Sequence, residues 1–156
     1  MTPAIRLLER DDIPHQVLQY THDAQVTAYG EEAVTALGLA PESVFKTLLA
    51  QLDDGRLVVA LVPVMATLDL KGLAKAAGAR KARMADPALA ERTTGYVVGG
   101  ISPLGQRKRL PTFIDDSALA LASLHVSGGR RGLEIGLAPT ALIDLLEATT
   151  APLART

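Results

Sequence analysis

Two runs rich in Val and Leu, Val44 to Leu52 and Arg56 to Val64, flank Asp53-Asp54-Gly55, and no other stretch constrains the fold as much. Branched apolar side chains suit the pleated, half-buried surface of a strand. A short Asp-Gly turn joins two such strands antiparallel, because its backbone twist matches theirs. With helical segments on either side, this hairpin predicts a mixed, mostly antiparallel sheet rather than a doubly wound parallel one.

Gly, Pro and Asp punctuate the rest of the chain just as regularly. Thr2-Pro3 offers an N-cap with proline at the first helical position, and Ala4, Ile5, Leu7 and Leu8 supply an apolar face up to Asp11-Asp12. His15 to Tyr20 reads as a short strand, and Glu31 to Leu37, with Gly38 beyond it, as a helix with a C-terminal glycine. Asp69 to Ala77 places Leu70, Leu73, Ala74 and Ala77 at helical spacing, and Asp86-Pro87 opens a helix that ends before Gly95. Further short strands are expected at Tyr96 to Gly100, Thr112 to Asp115, Ser123 to Ser127 and Leu133 to Leu137. Pro139 to Ala148 reads as a closing helix, and Thr149 to Thr156 as a frayed tail. About seven strands and five helices, with no repeat and no long linker, predict a single compact α+β domain.

The 156 residues are 48% apolar, 3% aromatic and 21% charged. A chain of this length buries about two-thirds of its unfolded surface, so aliphatic side chains and alanine fill the core and disorder is excluded. A net charge of −1 gives no global pull toward nucleic acid or membrane. The longest apolar stretch, Leu57 to Leu68, is interrupted by Pro63 and is too short to span a bilayer, and no secretory h-region follows Met1. Cysteine is absent, which excludes disulfides, thiolate metal sites and a cysteine nucleophile. His15, His22 and His125 lack metal-ligand spacing. The expectation is a soluble, intracellular domain that needs no metal or cofactor.

Four constellations can carry chemistry. In Ser43-Val44-Phe45-Lys46-Thr47-Leu48-Leu49-Ala50, period-two alternation puts Lys46 on one face with Val44, Leu48 and Ala50. An ammonium there needs solvent, a partner or a ligand; a lysine snorkelling at a sheet edge satisfies the same pattern. Gly95 to Gly105 is a glycine-rich segment whose free amides can hold a carbonyl oxygen or an oxyanion, or which simply turns out of a strand. It is neither a dinucleotide fingerprint nor a P-loop. Val126 to Glu134 is a second glycine loop, which a hairpin connection also explains. Basic residues cluster at Lys71, Lys75, Arg80, Lys81 and Arg83, at Arg107 to Arg109, and at Arg130-Arg131, a pattern that suits phosphate contact or a solvated face. His22-Asp23 lies beside Tyr20, but no Gly-x-Ser-x-Gly elbow accompanies it, which argues against a serine hydrolase.

These residues bring out a resemblance. Thr2-Pro3-Ala4, Tyr20, Phe45-Lys46-Thr47-Leu48, Leu68 to Lys71, Thr94 to Gln106 and Ser127-Gly128-Gly129 together resemble the bacterial Cys-tRNA(Pro) deacylases of the YbaK/EbsC type, relatives of the editing (insertion) domain of bacterial prolyl-tRNA synthetases. The resemblance implies an editing domain over residues 1–150 with a short tail at 151–156, its sheet barrel-like and flanked by helices. It also implies a cytoplasmic trans-editing enzyme that clears cysteine mischarged onto tRNA(Pro), with aminoacylated tRNA as substrate and prolyl-tRNA synthetase as partner. Lys46 is then the residue most tied to activity, together with Gly99, whose loop through Gly100, Ile101, Ser102 and Pro103 lines the aminoacyl pocket. Tyr20, Thr47, Ser127 and Gly128 border it; Glu134 stands where relatives commonly carry aspartate, and Gly136 where they often carry an acid. The resemblance further implies substrate assistance, in which the cysteine thiol attacks its own ester. Two alternatives stay open: a deacylase for alanine or another small amino acid on the same tRNA, and a module that binds tRNA or a synthetase without cleaving anything.

Overall fold

Helices and strands alternate much as the punctuation predicts. In the computed structural model, which describes residues 1–156, the order is α1 (Pro3–Arg10), β1 (Gln16–Gln19), α2 (Tyr29–Leu37), β2 (Phe45–Leu52), β3 (Leu57–Pro63), β4 (Thr67–Leu68), α3 (Leu70–Ala76), β5 (Ala82–Met84), α4 (Pro87–Thr94), β6 (Thr112–Asp115), β7 (Leu124–Ser127), β8 (Leu133–Leu137), α5 (Pro139–Leu146), β9 (Thr149–Ala151) and β10 (Ala154–Arg155). Caps fix several boundaries. The Thr2 hydroxyl accepts from the Ile5 N–H and donates to the Gly128 carbonyl, and Asp69 accepts from the Lys71 and Gly72 N–H groups.

The hairpin pairs in register from Phe45–Pro63 to Gln51–Leu57 and forms the centre of a five-stranded sheet ordered β5-β2-β3-β6-β9. β5, β2 and β3 run antiparallel, whereas β6 is parallel to β3 and β9 is parallel to β6. A second, antiparallel sheet is ordered β1-β8-β7, and β10 pairs with β4. One core joins α1, the hairpin and the second sheet through Leu8, Phe45, Leu61, Ile114, Leu124, Ile135 and Leu142. A second packs α3 on the opposite face through Val58, Ala60, Val62, Leu68, Leu73 and Leu153. Each fully buried aliphatic side chain contributes about 1.5–3 kcal/mol, so a core with only a few aromatics suffices.

Three expectations are corrected. The sheets do not close into a barrel: they pack on one core but are paired only at an isolated bridge between Val44 and His125, so hydrogen bonding is not continuous around the molecule. Tyr96 to Gly100 is not a strand, because Gly95 ends α4 in a left-handed conformation (φ +81) and Gly100 N–H donates back to the Val97 carbonyl. The frayed tail is ordered instead: Thr149 to Ala151 pairs with Phe113 to Asp115, and Leu153 is fully buried. Asp115 clamps this end, taking the Leu153 and Ala154 N–H groups at 2.8 Å each. Burial raises its carboxyl pKa, but these bonds and those from Ser117 outweigh it and hold the group below its usual range.

Candidate active site

β2 is covered along its outer edge at only two places. β5 pairs with Ala50 to Leu52, with Ala85 N–H donating to the Leu49 carbonyl, while at the other end Val44 bridges to β7. Between them, Lys46 to Leu48 has β3 on one side and no strand on the other. Alternate residues of a strand point their peptide groups to the same edge, so the Thr47 peptide faces this gap as the Leu49 carbonyl faces β5. The gap opens into a cavity of about 420 Å³, within the range of small-molecule sites.

Lys46 lines the cavity half-buried, with no carboxylate within 4.0 Å. Burial lowers its ammonium pKa, and Glu31, on the first turn of α2, acts in the opposite sense. Glu134 enters from β8 between Leu18 of β1 and Ser127 of β7, and only 7% of it is exposed. Burial pushes its carboxyl up to about 8, so it is neutral at pH 7. Its Oε2 and the Thr47 Oγ1 are buried with no hydrogen-bond partner. Buried polar atoms are rarely left orphaned, and two of them on one cavity wall mark a place for a polar ligand.

The glycine loop supplies the facing wall. Val98 is held through its N–H by Glu91 of α4 at 2.8 Å, and through its carbonyl by the Arg131 guanidinium at 2.6 and 3.0 Å. That guanidinium also lies 4.7 Å above the Tyr29 ring. Gly99 has φ +88, and a Cβ there would sit 2.7 Å from the Tyr29 ring; one on Gly100 would meet the Arg130 Cα at 2.7 Å. Only glycines let the chain pass between these two layers. Because Gly100 N–H is spent on Val97, the free amides are those of Gly99 and Ile101, two residues that line the cavity and whose N–H groups have no acceptor in the chain. Unspent backbone donors are the groups that can hold a developing oxyanion.

Lys46, Thr47, Gly99, Ile101, Ser127 and Glu134 therefore meet around one cavity. The other expected residues lie outside its lining. Gly100 is buried against Arg130, while Ser102 and Pro103 are buried inside the loop, where the Ser102 hydroxyl accepts from Leu104 N–H at 3.2 Å. Gly128 bonds to the Leu133 carbonyl behind Ser127. Tyr20 is half-buried past the end of β1, its phenol pKa raised by burial and by Glu134. His22 has its Nδ1 2.6 Å from Glu32 and serves no serine. The cavity also takes in Tyr29, Glu31, Met84 and Ala85, which the sequence reading passes over. Tyr29-Gly30 at the start of α2 is a faint signal, but nothing local says that a helix start is packed against a distant loop. No group of three His, Asp or Glu residues is placed to hold a metal ion, and no helix is long and apolar enough to cross a membrane.

Residues 23–145 match the family model described as an aminoacyl-tRNA editing domain. A protein of Enterococcus faecalis named "Putative Cys-tRNA(Pro)/Cys-tRNA(Cys) deacylase EbsC" is 36% identical over 92% of this chain and 87% of its own. A solved structure described as "a putative trans-editing enzyme for prolyl tRNA synthetase" is 26% identical, with a TM-score of 0.85 over 100% of this chain and 99% of that one. The structure of a hypothetical protein, 21% identical with a TM-score of 0.87 over 99% of this chain and 100% of its own, shares the fold.

Proposed function

Since the chain belongs to the aminoacyl-tRNA editing family, we propose that it clears cysteine mischarged onto tRNA(Pro), and that the substrate's own thiol is the nucleophile. The observation that carries this reading is one cavity holding an unpaired lysine and two free amide donors, with no lining serine or threonine bonded to a histidine. The Ser43–His125 contact, at 3.4 Å, lies outside that lining. An aminoacyl ester is already activated, so positioning and oxyanion stabilisation do most of what catalysis requires.

The chemistry balances without a protein nucleophile. The cysteine sulfur gives up its proton and forms a bond to the ester carbonyl carbon; the Gly99 and Ile101 amides hold the resulting oxyanion. Collapse breaks the bond to the terminal ribose oxygen, which takes a proton, and the amino acid leaves as a cyclic thiolactone that water later opens. Lys46 holds the ribose or the adjacent phosphate, and its lowered pKa eases exchange of a proton with that oxygen. Glu134, kept neutral by burial, ionises against the substrate's α-ammonium and orients it, while the Thr47 hydroxyl gains a partner. Alanine on the same tRNA offers no thiol and reacts only through water.

The test is single-turnover deacylation of Cys-tRNA(Pro), Ala-tRNA(Pro) and Cys-tRNA(Cys), with the parent protein and with Lys46→Ala. Rapid loss of cysteine from tRNA(Pro), near-background rates for alanine and for the variant, and a trapped thiolactone are expected. Faster release of alanine than of cysteine would overturn thiol assistance, and equal rates for parent and variant would remove Lys46 from the mechanism. The partnership with prolyl-tRNA synthetase belongs to the same proposal, because so small a cavity domain has little surface for reading tRNA identity.

A further inference from the structure

We propose that Lys71, Lys75, Arg80, Lys81 and Arg83, on α3, on β5 and in the turn between them, form a phosphate-binding track along which the acceptor end of an RNA reaches the cavity. This rests on the deacylase reading for what enters the cavity, but its surface is defined independently. Between Asp69 and Asp86 the chain holds these five cations and no carboxylate, in a protein whose net charge is −1. All five are exposed, and none of their charged groups lies within 4.0 Å of a carboxylate, although Asp53 accepts from the Arg80 and Lys81 backbone N–H groups at 3.2 and 3.3 Å. The only side-chain hydrogen bond any of them makes is from Arg83 to the neutral Gln51 amide at 3.1 Å. Such a run of unneutralised charge is costly unless counterions or phosphates attend it.

In the other basic clusters, two of the five cations are committed within the fold. Arg109 lies 3.4 Å from Glu147, and Arg131 is bound to the Val98 carbonyl and stacked on Tyr29. The track runs into the site, because β5 ends at Met84, and Met84 and Ala85 line the cavity. Arg83 stands beside Gln51 in the β2 register, five residues from Lys46. At about 3.3 Å per residue that is roughly 17 Å, or about five nucleotides of a stacked strand at 3.4 Å each. The opposite rim carries Glu31 on α2, with Glu32 and Asp23 behind it, so charge favours approach from the β5 side. No aromatic residue occurs from Lys46 to Gly95, which removes a stacking platform and leaves contacts to the backbone rather than to bases.

The experiment compares the triple variant Arg80→Gln, Lys81→Gln, Arg83→Gln with a control triple, Arg107→Gln, Lys108→Gln, Arg109→Gln. Fluorescence anisotropy with uncharged tRNA(Pro) and an unrelated tRNA transcript over a series of salt concentrations reads binding without chemistry. Loss of the track should weaken both complexes at least tenfold and reduce the salt slope by about 2 to 3, at roughly 0.9 per phosphate contact. The control should change less than threefold. In deacylation the track variant should raise KM with kcat held within twofold. The proposal is overturned if the track variant keeps affinity and slope, if the control loses as much, or if only one tRNA is affected. A protein that binds tRNA through the track yet releases no amino acid would refute the deacylase reading alone; one that deacylates with tRNA affinity indifferent to the track would refute the track alone. Thermal unfolding of both triples should match the parent, since all six side chains are exposed.

Discussion

Within β2, Leu49 to Leu52 lies between β3 and β5 and is largely packed away, whereas Lys46 to Leu48 has β3 on one side and the cavity on the other. Leu49, Ala50 and Leu52 are at most 4% exposed, while Lys46, Thr47 and Leu48 are half-buried. The two halves share one alternation and one hairpin partner. What separates them is the length of β5, which stops at Met84 and leaves the next stretch of edge open. A sheet edge left unpaired is usually a liability. Here it is sheltered between the glycine loop and α2, which makes its peptide groups available to a ligand without making them available to another chain.

The difference between the halves can be broken in order of expected effect. Lys46→Ala should lower deacylation by two to three orders of magnitude, about 3–4 kcal/mol in barrier, with no change in the denaturant midpoint. A stability loss matching the activity loss would make Lys46 a structural residue. Leu52→Ala tests the other half: about 3 kcal/mol of stability should disappear in denaturant unfolding, while kcat per folded molecule stays the same. Any comparable fall in kcat would mean that the packed half also shapes the site.

The third effect is on pH dependence. With a folded pKa near 8 against the usual 4.5, Glu134 keeps a proton in the folded state that the unfolded chain gives up. Its contribution is therefore fully present below about pH 4.5 and is lost as pH rises through about 8. Between pH 6 and pH 8 the parent should lose about 2 kcal/mol relative to Glu134→Gln, read as the difference between two urea titrations. Parallel profiles would refute a buried, protonated Glu134. The smallest effect is the most diagnostic. Thr47→Val removes a buried hydroxyl with no partner in the chain, so stability should rise by up to about 1 kcal/mol while turnover falls roughly fivefold. Loss of both together would show that the hydroxyl already has a structural partner.

Much of the site is readable locally. Lys46 stands out because alternation places it among Val44, Leu48 and Ala50, and the glycines of the 95–105 loop stand out because nothing else tolerates φ near +88 against an aromatic ring. Tyr96 to Gly100 has the composition of a strand in its Tyr-Val-Val, whereas its glycine neighbours commit the backbone to turns. The order of the tail is not legible locally because β9 and β10 are only three and two residues long. Segments so short show no alternation, and their order comes from Asp115 and from pairing with distant strands.

By itself the sequence determined the central hairpin, the helix caps, the candidate lysine and glycine loop, and the absence of any protein thiol, since each depends on residues close together in the chain. Only the tertiary structure decided that β5 stops short, that Tyr29 and Arg131 clasp the loop, and that Glu134 is left buried and unpaired. Those outcomes arise from contacts between residues far apart in sequence, where burial and competition for hydrogen-bond partners, rather than local preference, set the result.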